Sequence, residues 1–211
     1  LVKSILHMHI EVQMASEFMY SDPVIDEKTL VIAVSQSGET IDTLEAVKYA
    51  KNRGAKCLAI INVKGSSIAR ESDYVLYTNA GPEIAVATTK AYSTQLIASY
   101  ILSIEFARVR GMIDEDRAAE LIAELQTIPD KIEKLLEDKE RIQWFAAKQA
   151  NARDVFFIGR GLDYAISLEG SLKMKEISYI HSEAYAAGEL KHGTISLIEN
   201  GTLVVGVVTQ R

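Results

Sequence analysis

The feature of this sequence that most constrains its fold is an apolar run that stops abruptly at a cluster of small polar residues. Residues 30–34 are typical of a buried β-strand, and the polar residues 35–40 follow them directly. Ile41, Leu44 and Val47 then recur at the spacing of one helix face. A strand, a short polar turn and a helix in this order predict a βαβ unit, and therefore a parallel sheet with helices on its faces.

The same plan occurs twice in the 211 residues. After the first helix, two more apolar runs predict strands at residues 57–61 and 74–78. Further along, a strand, a glycine turn, a helix and another strand are predicted at residues 155–158, 159–161, 166–179 and 203–208. We therefore predict an α/β fold of two similar units, each a parallel sheet flanked by helices, with the second unit incomplete.

The sequence between these two units predicts the domain boundaries. It is rich in Glu, Lys, Ala and Leu, with Pro129 as a break, and this predicts two helices. We predict a first domain at residues 1–112, a helical linker at 113–150 and a second domain at 151–211. Because the sequence begins without Met and stops just after a strand, we expect the first domain to lack its N-terminal part and the second its C-terminal part.

Two further elements are predicted from periodicity. Residues 84–110 have the pattern of one long helix closed by Gly111. Residues 8–14 alternate between apolar and polar side chains, which predicts a half-buried strand.

Composition excludes several classes of partner and site. The 23 basic and 29 acidic residues give a net charge of −6, which argues against a nucleic-acid surface. No apolar run approaches the roughly 18 residues that a membrane span needs. Cys57 is the one cysteine, so the chain forms no internal disulfide, and we expect a reducing, cytoplasmic location. No cysteine–histidine spacing indicates a metal site.

The polar cluster after the first strand predicts an anion site. In parallel α/β units ligands bind beyond the C-terminal ends of the strands, where the first amides of the next helix lack internal partners. Ser35, Ser37 and Thr40 add hydroxyl groups, Gln36 adds an amide, and Gly38 allows close approach of the backbone. The alternative is an ordinary helix cap, since Ser and Thr are favoured there. We favour a phosphate monoester because so many donors follow one another.

A second group of residues predicts proton transfer. Glu169, Lys173 and Glu176 fall at i, i+4 and i+7, so they share one helix face, although a surface ladder of ion pairs is the alternative. His192 lies in a predicted flexible loop next to Gly193, where a histidine is a good candidate for moving protons.

Two more stretches complete the set of candidates. The polar residues 86–90 lie after the third strand and could close the anion site. The turn at residues 159–161 has the first half of a dinucleotide-binding pattern, but Tyr164 occupies the place of its third glycine. We therefore expect no nicotinamide or flavin, and no cofactor.

Three stretches carry a resemblance to a known family. They are SQSGET at residues 35–40, TNAGPEIAVATTKAY at 78–92 and GRGLDYAISLEGSLKMKEISYIHSEAYAAGELKHG at 159–193. They resemble the isomerase part of the glutamine–fructose-6-phosphate aminotransferase (glucosamine-6-phosphate synthase) family, which consists of two sugar isomerase (SIS) domains. The resemblance covers nearly the whole chain.

The resemblance implies a reaction and a role for each candidate residue. The family makes glucosamine 6-phosphate from fructose 6-phosphate, with ammonia that a separate N-terminal glutaminase domain releases from glutamine. Residues implied to hold the sugar phosphate are Ser35, Gln36, Ser37 and Thr40, and those implied to touch the sugar are Val86 and Thr88. Glu176 is implied to move a proton between C1 and C2, with Lys173 assisting and His192 opening the ring.

The resemblance also implies partners and leaves alternatives. It implies a homodimer in which the His192 loop reaches into the partner's site. The glutaminase domain, a Gly-Thr-Ser loop and a C-terminal lysine of the family are absent from the sequence, so we expect an incomplete synthase site. One alternative is another SIS isomerase or deglycase. A second is a non-catalytic SIS module that senses sugar phosphate, which would need neither Glu176 nor His192 and would usually carry a helix–turn–helix.

Overall fold

A computed structural model describes residues 6–209 of the chain. The outermost residues of both predicted domains, 1–5 and 210–211, lie outside this range. Contacts divide the chain into two compact units between Ile128 and Pro129. Within the described range, no helix is both long enough and apolar enough to cross a membrane.

The first unit contains a parallel sheet with the strand order β1-β2-β3. Its elements in chain order are α1 (Ala15–Phe18), β1 (Leu30–Ser35), α2 (Ile41–Asn52), β2 (Lys56–Ile61), α3 (Ser67–Glu71), β3 (Tyr74–Tyr77), α4 (Lys90–Val109) and α5 (Glu115–Gln126). Ser35 pairs with Ile61, and Ile61 pairs with Tyr77, so the three strands end level with one another. The residues that follow them therefore emerge at one edge of the sheet.

The core of the first unit lies between α2, α3 and the sheet. Val47 from α2, Ile68 from α3 and Cys57, Ala59 and Ile61 from β2 are buried together. The central strand β2 is buried from its second residue onward, as a strand covered on both faces should be.

Strand β1 differs from its prediction as a fully buried strand. Leu30, Ile32 and Val34 are between 41% and 48% exposed, whereas Ala33 and Ser35 are buried. Because side chains alternate along a strand, the three exposed residues share one face of β1, and the described residues leave that face largely uncovered.

The second unit contains a parallel sheet with the order β5-β4-β6. Its elements are α6 (Ile128–Leu136), α7 (Lys139–Lys148), β4 (Asp154–Gly159), α8 (Leu162–Ser178), β5 (His181–Ala186), a 3₁₀-helix (Thr194–Leu197) and β6 (Leu203–Gly206). Gly159 permits α8 to approach β4, because a Cβ atom there would lie 2.4 Å from the backbone carbon of Asp163. The prediction of two parallel α/β units is confirmed.

Several predicted elements are wrong in type or extent. Residues 8–14 form no strand, and Val12 and Met14 are largely exposed. Residues 84–89 form a loop before α4 rather than its first turns. The region predicted to hold two helices holds three in the described chain, because a turn at Glu137 and Asp138 separates α6 from α7. Pro129 lies in the first turn of α6, where proline is tolerated. The boundaries at 112 and 150 stay a prediction.

Candidate functional site

The predicted anion loop, residues 35–40, lies at the C-terminal edge of the first sheet between β1 and α2. Ser35 is 7% exposed, and its Oγ accepts a hydrogen bond from Gly38 N at 3.0 Å. Ser35 Oγ also lies 3.4 Å from Thr40 Oγ1. Ser37 Oγ accepts from Glu39 N at 3.2 Å, so its own hydrogen remains to be donated. The loop thus gathers hydroxyl groups around one tight turn.

Glycine is required at the centre of this turn. Gly38 has φ +69°, and a Cβ atom there would lie 2.1 Å from Ser66 Oγ and 3.1 Å from Ile61 Cγ2. Ile68 N also donates to Gly38 O at 3.0 Å. The loop therefore rests directly on the start of α3, which fixes its conformation.

Glu39 is an acidic residue inside a predicted anion site, and the structure shows how it is accommodated. Its Oε1 accepts a hydrogen bond from Ser67 N at 2.9 Å, at the beginning of α3. Hydrogen bonding to Ser67 lowers the pKa of the Glu39 carboxyl group. The Glu39 carboxylate is therefore bonded to the start of α3.

The N-terminus of α2 remains available to a ligand. Thr40 is its N-cap residue, yet the Thr40 side chain makes no capping hydrogen bond. The first N–H groups of a helix have no partner within the helix, and the dipole adds partial positive charge there. Together with Ser35 and Ser37, this helix end offers what a phosphate group needs.

A cavity of about 560 Å³ opens beside the anion loop. Its lining comes from the loops that follow all three strands: Gln36, Asn62, Val63, Lys64, Asn79, Gly81, Pro82 and Glu83. Asn62 joins these loops, because its N–H donates to Gln36 O at 3.2 Å and its Nδ2 donates to Gly81 O at 2.7 Å. The anion loop and the loop after β3 are therefore held around one space.

Val86 and Thr88 lie in the loop between β3 and α4, in the same unit as the anion loop. Val86 is 95% exposed and Thr88 is half-buried. Glu83 accepts hydrogen bonds from Thr89 N and Ala91 N, at 3.4 and 3.1 Å, and so ties the base of this loop to the start of α4. The roles of Val86 and Thr88 toward a sugar stay a prediction.

The acid–base face predicted on α8 forms within the second unit. Lys173 Nζ lies 3.5 Å from Glu169 Oε1 and donates a hydrogen bond to Glu176 Oε2. Partial burial acts to lower the pKa of the Lys173 ammonium group, but the hydrogen bond to Glu176 and the charges of both carboxylates together raise it above its ordinary value. Lys173 is therefore a cation at neutral pH with a carboxylate on either side.

His192 lies in a turn that follows β5, and its side chain is exposed. The flexible loop predicted around it is shorter than expected, because residues 184–186 belong to β5 and pair with β4. The remaining turn is closed by hydrogen bonds from Glu189 N to Ala186 O and from His192 N to Glu189 O, both at 2.8–2.9 Å. Strand β5 was not predicted from the sequence, because its residues are mostly polar or small.

Cys57 is not placed to act as a nucleophile. It is fully buried in β2, and burial, with the nearby charge of Asp73, raises its pKa to about 11. A thiolate is the reactive form of cysteine, so this side chain is inert at neutral pH.

Comparison with known proteins identifies the family. The model of the SIS domain matches residues 1–104 and 149–211, which is most of the chain. The chain belongs to the SIS domain family. Both matched segments contain one of the parallel sheets, so each unit corresponds to SIS sequence.

Individual SIS proteins resemble the chain along almost its full length. It is 56% identical over 209 residues to the glutamine–fructose-6-phosphate aminotransferase [isomerizing] of Caldanaerobacter subterraneus subsp. tengcongensis, which covers 99% of the chain and 34% of that relative. The chain thus spans about a third of that protein's length. The solved C-terminal domain of glucosamine-fructose-6-phosphate aminotransferase from Francisella tularensis has a TM-score of 0.96 and 38% identity, covering 100% of this chain and 60% of that one.

A solved protein with a different name has a similar structure at lower identity. Glucosamine-6-phosphate deaminase from Thermotoga maritima has a TM-score of 0.77 and 26% identity, with 97% of this chain and 60% of that chain covered. The fold is therefore shared between proteins with different names, and the site residues must decide between functions.

Sequence reasoning missed three residues that shape the first unit's edge and the second unit's turn: Asn62, Glu83 and Asp163. Asn62 offered a signal, since it is a polar residue directly after an apolar strand, as Ser35 is. Glu83 and Asp163 act through partners 8 and 46 residues away in sequence, so no local pattern marks them.

Proposed function

We propose that this chain is the isomerase part of an enzyme that converts fructose 6-phosphate and glutamine-derived ammonia to glucosamine 6-phosphate. The observation that carries the proposal is the high identity, over nearly the whole chain, to an aminotransferase of that name. The uncapped anion loop and the acid–base face of α8 support it, because the reaction needs a phosphate anchor and a proton carrier.

The phosphate group of the sugar is assigned to the anion loop. Ser35, Ser37 and Thr40 offer hydroxyl groups, Gln36 offers its amide, and the start of α2 offers N–H groups and a positive dipole end. Val86 and Thr88 are assigned to the sugar, on the strength of the family resemblance and of their place in the loop after β3.

Proton transfer is assigned to the face of α8. Glu176 acts as the base that moves a proton between C1 and C2. Lys173, already hydrogen-bonded to Glu176, supplies positive charge where the sugar oxygen gains negative charge as the proton leaves carbon. His192 is assigned to ring opening on the strength of the family resemblance and of its exposed side chain.

Replacement of the base tests this assignment. In the full-length gene product, Glu176→Gln should lower synthesis by about 10²–10⁴-fold, the usual contribution of a positioned general base. Binding of fructose 6-phosphate, measured by calorimetry, should persist. A loss of binding in step with activity would show that Glu176 has a structural role instead.

We also propose a homodimer in which His192 acts in the partner's site, and a glutaminase domain elsewhere in the full-length protein. Inactive full-length Glu176→Gln and His192→Ala subunits, when mixed, should then regain activity, since a mixed dimer contains one site with both residues intact. Random mixing should restore about a quarter of wild-type activity by symmetry. Subunit exchange without recovery would rule out the shared site. A cytoplasmic location stays a prediction.

A different SIS sugar-phosphate isomerase or deglycase is the second candidate, and the shared fold with a glucosamine-6-phosphate deaminase supports it. The two are separated by product analysis with and without an ammonia source. Isomerisation or deamination that proceeds without net transfer of ammonia to fructose 6-phosphate would favour the second candidate. A non-catalytic sensing module would bind sugar phosphate equally well with Gln at position 176 and would have no activity to lose.

A further inference from the structure

The side chain of Glu83 closes the base of the loop between β3 and α4. Its Oε2 accepts hydrogen bonds from Ala91 N at 3.1 Å and from Thr89 N at 3.4 Å. These three residues bracket the segment 84–88, which contains both proposed sugar contacts. One carboxylate oxygen therefore joins the two ends of a short arch.

The chain leading into the arch is held separately by Asn62. Asn62 Oδ1 accepts from Thr78 Oγ1 at 3.2 Å and from Ala80 N at 2.8 Å, and its Nδ2 donates to Gly81 O. All the atoms of this amide that can form hydrogen bonds are thus engaged with residues 78–81. The fixed stretch ends just before Glu83, and the next anchored amides are those that Glu83 itself holds.

Glu83 also takes the place of a helix cap. The N-cap residue of α4, Thr89, makes no side-chain capping hydrogen bond, and α4 is 20 residues long. A carboxylate at the start of such a helix is favoured by the dipole and by the unpaired N–H groups. In agreement, hydrogen bonding to Ala91 N lowers the pKa of the Glu83 carboxyl group.

From this geometry we propose that Glu83 is a positioning residue, which holds the arch 84–88 so that Val86 and Thr88 can meet the sugar. The proposal rests on the proposed function for the sugar contacts. Glu83 and Gln36 line the same cavity, so the arch begins beside the anion loop. Glu83 itself need not touch the substrate. Replacing Glu83 should therefore weaken binding of the sugar and leave binding of inorganic phosphate unchanged.

Two variants and two ligands test this proposal in the full-length gene product. Glu83→Ala removes the acceptor, and Glu83→Gln keeps an oxygen that can accept from Ala91 N. Calorimetry with fructose 6-phosphate should show binding weaker by about 10-fold in Glu83→Ala, because small displacements of contact residues are costly. Glu83→Gln should lose less. Inorganic phosphate should bind both variants as it binds the wild type, which also demonstrates that they are folded.

The matched control is Glu45→Gln, which removes an exposed carboxylate of α2 that pairs with Lys48 and does not line the cavity. It should change neither affinity. Hydrogen exchange of the peptide covering residues 84–92 gives a readout that needs no ligand. Exchange should accelerate in Glu83→Ala and much less in Glu83→Gln.

The outcomes separate this proposal from the proposed function. Unchanged exchange in Glu83→Ala, or equal losses for phosphate and for fructose 6-phosphate, would overturn the positioning role. If the wild type prefers fructose 6-phosphate no more than phosphate, the proposed substrate is wrong, while faster exchange in Glu83→Ala still supports the structural part of the inference. No binding of either ligand by the wild type would overturn the proposed function and, with it, the role of Glu83 toward the sugar.

Discussion

Helices α2 and α8 each follow a strand of a parallel sheet, and each carries an aspartate at its second position, Asp42 and Asp163. Asp42 is exposed, whereas Asp163 is 5% exposed. The Asp163 carboxylate accepts hydrogen bonds from Thr209 N at 3.1 Å and from Thr209 Oγ1, just beyond β6. In the second unit the carboxylate at this position is thus buried and bonded to the chain beyond β6, whereas in the first unit it is exposed and the hydroxyl groups of Ser35 and Ser37 line the turn before the helix.

The two turns share a strand–turn–helix plan but differ in use, because the aspartate of the second joins the chain beyond β6, whereas the hydroxyl groups of the first have no such partner among the described residues. At three other helix starts a carboxylate accepts directly from one of the helix's own first N–H groups. Glu39 accepts from Ser67 N at α3, Glu83 accepts from Ala91 N at α4, and Asp114 accepts from Arg117 N at α5. The N-cap side chain of α2 makes no such bond, so the first N–H groups of α2 are left for an external anion.

Removing hydroxyl groups from the anion loop, residues 35–40, should have the largest effect. Ser37→Ala combined with Thr40→Ala should weaken binding of fructose 6-phosphate about 100-fold or more, because each hydrogen bond to a charged group contributes about 1.5–3 kcal/mol. The melting temperature should change little, since both side chains are at least partly exposed. Calorimetry and thermal unfolding measure the two quantities. Unchanged binding of fructose 6-phosphate by the double variant would show that the anion loop does not hold the phosphate group.

Changing Asp163, at the start of α8, should give the opposite result: stability should fall and binding should be unchanged. Asp163→Asn keeps the size of the side chain but replaces one acceptor of the Thr209 hydrogen bonds with an NH₂ group. We expect the free energy of unfolding to fall by about 2 kcal/mol, the value of a hydrogen bond to a buried charge. Binding of phosphate should not change. If the Asp163→Asn protein lost phosphate binding without losing stability, the distinction between the two turns would be wrong.

Much of the anion loop could be predicted from the sequence, because the residues that form it are consecutive. Ser35, Ser37 and Gly38 follow an apolar strand directly, and the face of Glu169 and Lys173 follows from helical spacing. Both features depend on contacts within one turn or one helix.

The second turn could not be predicted in the same way. Asp163 meets Thr209 across 46 residues, and strand β5 forms through its pairing with β4 rather than through an apolar run of its own. The false strand at residues 8–14 shows the converse, since a correct alternation formed no strand in the described structure. Periodicity reports what a segment can do, and long-range pairing decides what it does.

The smallest expected effect concerns the residue on which the first turn rests. Ser66 is 2% exposed, and its Oγ has no hydrogen-bond partner among the described residues, although it lies against Gly38. An unsatisfied buried hydroxyl costs stability, so Ser66→Ala should raise the free energy of unfolding by about 1 kcal/mol. The methyl group that remains still supports Gly38, so phosphate binding should be unchanged.

Ser103→Ala is the matched control, because Ser103 is equally buried but its Oγ donates to Ser99 O at 2.6 Å. That variant should lose stability by a similar amount. Chemical denaturation of both variants gives the sign directly. A Ser66→Ala protein that is less stable, or that binds phosphate more weakly, would mean that the Ser66 hydroxyl supports the anion loop. The anion site would then include Ser66 as well as Ser35, Ser37 and Thr40.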